Sequence, residues 1–250
     1  MPTSGSNQGS SPSSHPQFAT THWSLVLQAR QPDGAQYRES LGALCRSYWP
    51  PLYAYLRRRG YDAAAAEDLT QGLFAHLLER EDFALADPQR GRFRSFLLTC
   101  LKHFVASAHE RDRALKRGGG KGPLSLDLTD AETLFPMEPA DQRTPEREFE
   151  RNWAMTVLQR VTARLCEEMT SAGRGELFKR LQPSLAESFQ RGQYGEAAKA
   201  LGMTEAAVRV AMHRMRKRYR ELLRDEVAQT LADPADVDGE IRDLMEALSP

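Results

Sequence analysis

Apolar residues recur at spacings of three and four along most of this chain, and strand-like alternation is absent throughout. The clearest stripe is Val208, Met212, Met215, Tyr219 and Leu222. Before it, Glu196 to Leu201 form a short helix, Gly202 makes a bend, and Thr204 stands ready to cap the stripe's helix. Glu205 then falls in the first turn, where the helix dipole favours an anion. Upstream, Leu41, Leu44, Cys45, Tyr48, Leu52, Tyr55 and Leu56 predict a helix from about Ala35 to Arg58. Pro50 and Pro51 interrupt it, so a kink or break is expected there. Gly60 ends it, and Asp62 caps a helix from Ala63 to Glu79. A long helix runs from about Gly91 to Arg117 and is stopped by Gly118-Gly119-Gly120. Thr144-Pro145 opens another in cap-then-proline order, carrying Phe149, Trp153, Val157, Leu158, Val161 and Leu165. Further helices are expected near Glu176 to Phe189 and from Thr20 or Thr21 through Leu27. The fold class is all-α: two small helical bundles joined by a flexible acidic linker, the second containing a helix-turn-helix.

The boundaries follow from composition. Residues 1–19, rich in Ser, Gly, Pro and Asn, form an N-terminal extension expected to be disordered. Residues 20–117 make the first domain, 118–145 the linker, 146–224 the second domain, and 225–250 an acidic C-terminal extension.

Charge sharpens this division. The 34 Lys and Arg balance 34 Asp and Glu, but the zero is an average over blocks of opposite sign. From Arg90 to Lys121 nine Lys or Arg face only Glu110 and Asp112. From Gly122 to Glu150 eight acids face Arg143 and Arg147, and from Asp225 to Glu246 eight acids face Arg242. Local field rather than total charge guides a polyanion, so the two basic segments are candidates for nucleic acid.

Cys45, Cys100 and Cys166 are scattered and odd in number, which points to buried thiols in a reducing interior rather than a disulfide framework. The six His are dispersed, and His103 and His109 lack the i, i+4 spacing of a helical metal pair. No metal site and no cofactor are expected. Gly118 to Pro123 lacks the glycine gap and the Ser or Thr of a phosphate loop. No apolar run reaches the length of a membrane span, and no signal pattern opens the chain, so a cytoplasmic protein without membrane contact is expected. No nucleophile-and-base set or acid pair marks an enzyme.

Both basic segments combine a core stripe with cationic faces. In the helix behind Thr204, Arg209, Arg214, Arg216, Lys217, Arg218 and Arg220 occupy the circumference left by the apolar stripe. That suits a recognition helix in a DNA major groove. In the helix over 92–117, Phe93, Leu97, Leu101, Phe104 and Ala108 form the stripe, while Arg94, Lys102, His103, Arg111, Arg113, Lys116 and Arg117 remain for other faces. Phe96 projects beside them. Aromatics amid cations suit opened single strands, because bases stack on rings while cations follow phosphates.

Ala66-Glu67-Asp68-Leu69-Thr70-Gln71-Gly72-Leu73-Phe74, the segment from Phe93-Arg94-Ser95-Phe96-Leu97 through Lys102-His103-Phe104 to Arg111-Asp112-Arg113, and residues 194–220 follow one another in a familiar order. The chain thereby resembles the extracytoplasmic-function sigma factors, two-domain bacterial transcription initiation factors, over about residues 22–117 and 146–224. The resemblance implies no catalysis by this chain, and core RNA polymerase and promoter DNA as partners, with an anti-sigma or other regulatory protein as a further partner the family allows. It implies polymerase docking through Glu67, Asp68, Gln71 and Phe74. It implies −10 element capture by Arg94, Phe96, Lys102, His103, Arg111 and Arg113. For the −35 element it implies a DNA-binding helix that begins at Thr204, whose Glu205, Ala206, Arg209 and His213 approach bases, with Arg214, Arg216, Lys217 and Arg218 on phosphates. The chain departs from the family where Phe96 and His103 replace a usual Trp and Asn, and where Val210 and Ala211 stand in the recognition helix.

The competing reading is a stand-alone helix-turn-helix regulator that binds duplex DNA without polymerase. It accounts for residues 194–220 and leaves the Asp68-Leu69-Thr70-Gln71 helix and the Phe-rich basic helix without a role. The acidic extension either folds back on a basic DNA-binding surface and lowers affinity, or serves as a solubilising tail.

Overall fold

The computed structural model describes residues 35–79, 86–87, 91–115, 144–185, 193–231 and 233–249. The expected first helix near Thr20, the extension over 1–19 and the linker over 118–143 lie outside the described residues. The described residues form eight α-helices: α1 Ala35–Arg58, α2 Ala63–Glu79, α3 Phe93–Leu115, α4 Pro145–Ser171, α5 Gly175–Leu181, α6 Gln193–Leu201, α7 Glu205–Ala228 and α8 Val237–Leu248. No strand occurs among the described residues, so the fold there is all-helical.

Local chemistry sets the helix ends. The Asp62 carboxylate accepts from the Ala65 amide at 2.8 Å and starts α2. Thr144 is extended, its hydroxyl accepts from the Arg147 amide at 3.2 Å, and Pro145 follows as the first helical residue. Thr204 repeats the device, accepting from the Ala207 amide at 3.2 Å to start α7. Gly202 closes α6 with φ +62°, the left-handed conformation a side chain disfavours.

Two expectations about helix continuity need correction. Pro50 and Pro51 lie inside α1, which runs through them unbroken. The lost backbone bonds are outweighed by burial: Leu44, Tyr48, Leu52, Tyr55 and Leu56 flank the prolines in the core. The helix expected from Glu176 to Phe189 ends at Leu181, and a 3-10 turn over Gln182–Ser184 takes its place at Pro183.

The central contact is α4 against α1. Phe149, Trp153, Ala154, Val157, Val161 and Leu165 of α4 are buried in one core that is continuous with the α1 stripe. Trp153 and Tyr48 are hydrogen-bonded, and burial pushes the Tyr48 hydroxyl above its ordinary pKa. Arg160 of α4 donates to the Ser47 hydroxyl of α1 and pairs with Glu226 of α7 at 2.9 Å. α2 and α3 pack on α1, while α6 and α7 pack together and α7 on α4. The residues after Arg224, expected as an extension beyond the second domain, continue α7 to Ala228 and then form α8, which packs on α4 and α7. Val237 and Leu244 of α8 belong to the core. Their spacing of seven places them on one helix face.

Candidate nucleic-acid interface

Helix α7 presents its N-terminal half outward. Thr204, Glu205, Ala206, Arg209 and His213 are exposed, as are Arg214 and Lys217, because Val208, Met212 and Met215 turn the opposite face into the core. Val210 is half exposed although large and apolar. Arg209 is held in place: its guanidinium lies 4.2 Å from the Tyr194 ring centroid and pairs with Glu205 at 2.5 Å. Two of the expected phosphate contacts are engaged within the chain. Arg216 donates to the Ser184 carbonyl at 2.7 Å. Arg218 binds Glu168 through Nε at 2.8 Å and Nη2 at 2.9 Å, and pairs with Glu221 at 3.2 Å. The hydrogen bonds from Arg218 hold the Glu168 carboxyl below the usual carboxylate range.

On α3, Lys102 and His103 are exposed. Lys102 pairs with Glu146 at 2.8 Å and lies 5.8 Å from the Tyr55 ring centroid. That hydrogen bond raises the Lys102 pKa and lowers that of Glu146. Phe96 is half-buried and stacks on Phe93 at 5.9 Å, so its ring serves the core edge as well as the surface. Arg111 and Arg113 lie on the last turns of α3, and their side chains fall outside the described ones.

Arg94 departs most from the sequence expectation. It was expected on a DNA-facing surface and is 3% exposed. Its Nε donates to Glu150 at 2.7 Å, its Nη1 donates to Glu240 of α8, and its guanidinium stacks 4.0 Å from the Trp153 ring centroid. A buried guanidinium persists only when its charge and donors are matched, and here two carboxylates and an indole face do that. Glu240 sits in the same pocket, fully buried, and also pairs with Arg92 at 2.8 Å. Arg92 in turn binds Asp243 at 2.5 Å. Neither periodicity nor charge along the chain signals this cluster, because Arg94 lies 56 and 146 positions from its two carboxylates.

On α2, Glu67 and Asp68 are exposed. Gln71 is buried and donates to Glu67 at 3.3 Å, which fixes the Glu67 carboxylate in the surface. Phe74 is a core residue, stacked on Trp49 at 6.4 Å. The α2 surface therefore offers two carboxylates, while Phe74 faces the core.

Residues 44–114 match the family model for Sigma-70 region 2. Over these residues the chain is similar to that region of sigma-70 factors. It spans the second half of α1, all of α2 and nearly all of α3, well under half of the chain. The residues expected to dock polymerase and to capture the −10 element all lie inside it, and α6 and α7 lie beyond it. No curated protein and no solved structure matches the chain. No helix among the described residues is long and apolar enough to cross a membrane, and no cluster of three or more metal-ligating side chains occurs among them.

Proposed function

We propose that the chain is a bacterial transcription initiation factor of the extracytoplasmic-function type, working in the cytoplasm. It binds core RNA polymerase and directs it to promoters by recognising −10 and −35 elements and assisting strand opening. The region 2 match over 44–114 carries this reading. Residues 20–117 act as the polymerase-binding and −10 domain, and 146–224 as the −35 domain. Glu67 and Asp68 are exposed on α2, as a polar docking face for a basic polymerase element requires. In α7, Glu205, Ala206, Arg209 and His213 approach base edges, while Arg214 and Lys217 follow the phosphates. On α3, Phe96, Lys102, His103, Arg111 and Arg113 form the −10 face, with Arg94 joining it only when released from its carboxylates. Unstacking a base step costs a few kcal/mol and stacking on protein returns about 1–3 kcal/mol per base, so polymerase contacts supply the remaining drive.

The test is a pull-down with purified core polymerase followed by run-off transcription. The reading expects stable association and promoter-dependent transcripts. Asp68→Arg should lose polymerase association while the protein still binds duplex DNA through α7. Normal polymerase affinity in that variant would reject the docking assignment. No association of the unaltered chain at any ionic strength would reject the function.

A further inference from the structure

We infer that α8 is an intramolecular clasp that masks the basic face of α3 and holds the two halves of the chain closed until polymerase opens them; this rests on the initiation-factor reading above. The observations converge on one side of α3. Arg92 and Arg94 stand at its N-terminal end, where the helix dipole already disfavours cations. Four carboxylates from the distal half of the chain meet the basic groups of this helix. Glu240 and Asp243 of α8 take Arg92, Glu240 and Glu150 take Arg94, and Glu146 takes Lys102. The carboxylate of Glu240 is completely buried, a placement tolerated only while both arginines face it. A second pair, Arg224 with Asp238, fixes the start of α8 to α7. Glu240 and Asp243 of α8 thus neutralise the two arginines at the start of α3, while Glu146 and Glu150 of α4 complete the cover over Lys102 and Arg94.

The closed arrangement treats the two DNA-binding surfaces differently. Arg92, Arg94 and Lys102 are neutralised, whereas His213, Arg214 and Lys217 stay exposed on α7. Size forbids simultaneous engagement as well. Elements named for positions −10 and −35 lie about 25 base pairs apart, or about 85 Å at 3.4 Å per pair. A packed body of about 170 residues has a radius of gyration of about 15 Å, hence a diameter of about 40 Å. The α1–α4 contact and the α8 clasp must therefore open before both elements are held, and a polymerase that binds the two halves far apart selects the open state.

The test uses the full chain, Glu240→Gln, and a chain ended after Leu231. Dyes at Glu79→Cys and Ala200→Cys, both exposed, in a background with Cys45, Cys100 and Cys166 changed to Ala, report the separation of the halves by energy transfer. Binding to a −10 single strand and to a −35 duplex is measured without polymerase. Glu240→Gln and the shortened chain should show lower energy transfer and about fivefold or more tighter single-strand binding, with duplex binding unchanged. A third variant, Arg92→Cys with Asp243→Cys in the same background, is joined by a flexible bis-maleimide. The joined protein should transcribe at least about fivefold less than the same protein left unjoined. If the shortened chain loses its fold, Glu240→Gln and the joined variant decide. Unchanged energy transfer and single-strand binding in Glu240→Gln, or full transcription by the joined protein, would overturn the clasp. Failure of every variant to bind polymerase would reject the function, while the energy-transfer readout would still judge the clasp.

Discussion

Arg218 of α7 grips Glu168 of α4 with two parallel hydrogen bonds, Nε to one carboxylate oxygen at 2.8 Å and Nη2 to the other at 2.9 Å. The fork fixes α7 to the long helix that carries the core. Both side chains are more than a third exposed, so solvent screening limits the contribution. Glu168→Gln should lower stability by about 0.5–1 kcal/mol. The Glu168 carboxyl titrates below its ordinary range because of Arg218, so the contribution is fully present above the unfolded pKa. It fades as pH falls through the lowered folded value. Urea unfolding should therefore show a gap between the two proteins at pH 7 that closes in acid below about pH 4. A gap that persists at pH 2 would contradict the assignment.

Gly72 allows α2 to approach the Phe104 ring of α3. A Cβ at that position would stand 2.9 Å from Phe104 Cζ, closer than real contacts allow. The ring is also held against His76, with centroids 5.5 Å apart, which limits its escape. Gly72→Ala should cost about 1–3 kcal/mol in urea unfolding, and adding Phe104→Leu should return part of it. Additive losses in the double variant would show that the contact is not the cause.

Gly202 turns the chain between α6 and α7 at φ +62° with open space around it. The cost of a side chain there comes from the backbone alone. Gly202→Ala should destabilise by about 1 kcal/mol, and Gly202→Asn by less, since Asn tolerates the left-handed region. Equal effects of both would point to packing instead.

Capping residues and apolar periodicity made most elements legible in the sequence. The limits of α1 and α2 follow from Gly60, Asp62 and their stripes, and the starts of α4 and α7 from Thr144 and Thr204. These signals are local, so a single sequence carries them. The role of Arg94 was not legible, because its burial depends on Glu240, 146 positions away, and an isolated Arg reads as surface. Helix α8 was hidden for a related reason. Val237, Glu240 and Leu244 share a face at helical spacing, but the acids around them read as a solvated tail until their cationic partners are in view. The exposure of Glu67 and Asp68 agrees with the sequence expectation, whereas the burial of Gln71 and Phe74 reflects tertiary packing under them.

Cys45 gives an independent check on the packing of α1. Burial pushes its thiol up to about 11, so at pH 8 only on the order of 0.1% is thiolate, the reactive form. Iodoacetamide should label it far more slowly than free glutathione at pH 8. Urea should abolish the difference. Labelling at the glutathione rate in the folded protein would mean that this face of α1 is open.

Arg209 and Lys217 should separate sequence reading from phosphate binding. Arg209 lies in the exposed N-terminal half of α7 and is oriented by Tyr194 and Glu205, as a base-edge contact demands. Lys217 lies two turns further on and is exposed. Arg209→Ala should relax the preference at one or two base pairs by about 1–3 kcal/mol and leave other positions intact. Lys217→Ala should weaken binding to all duplexes alike and reduce the slope of log K against log salt by about one. Tyr194→Ala should reproduce part of the Arg209 effect, because it frees the guanidinium without removing it. Titration of a randomised duplex library at two salt concentrations measures all three, and a uniform loss with Arg209→Ala would assign that residue to the phosphates instead.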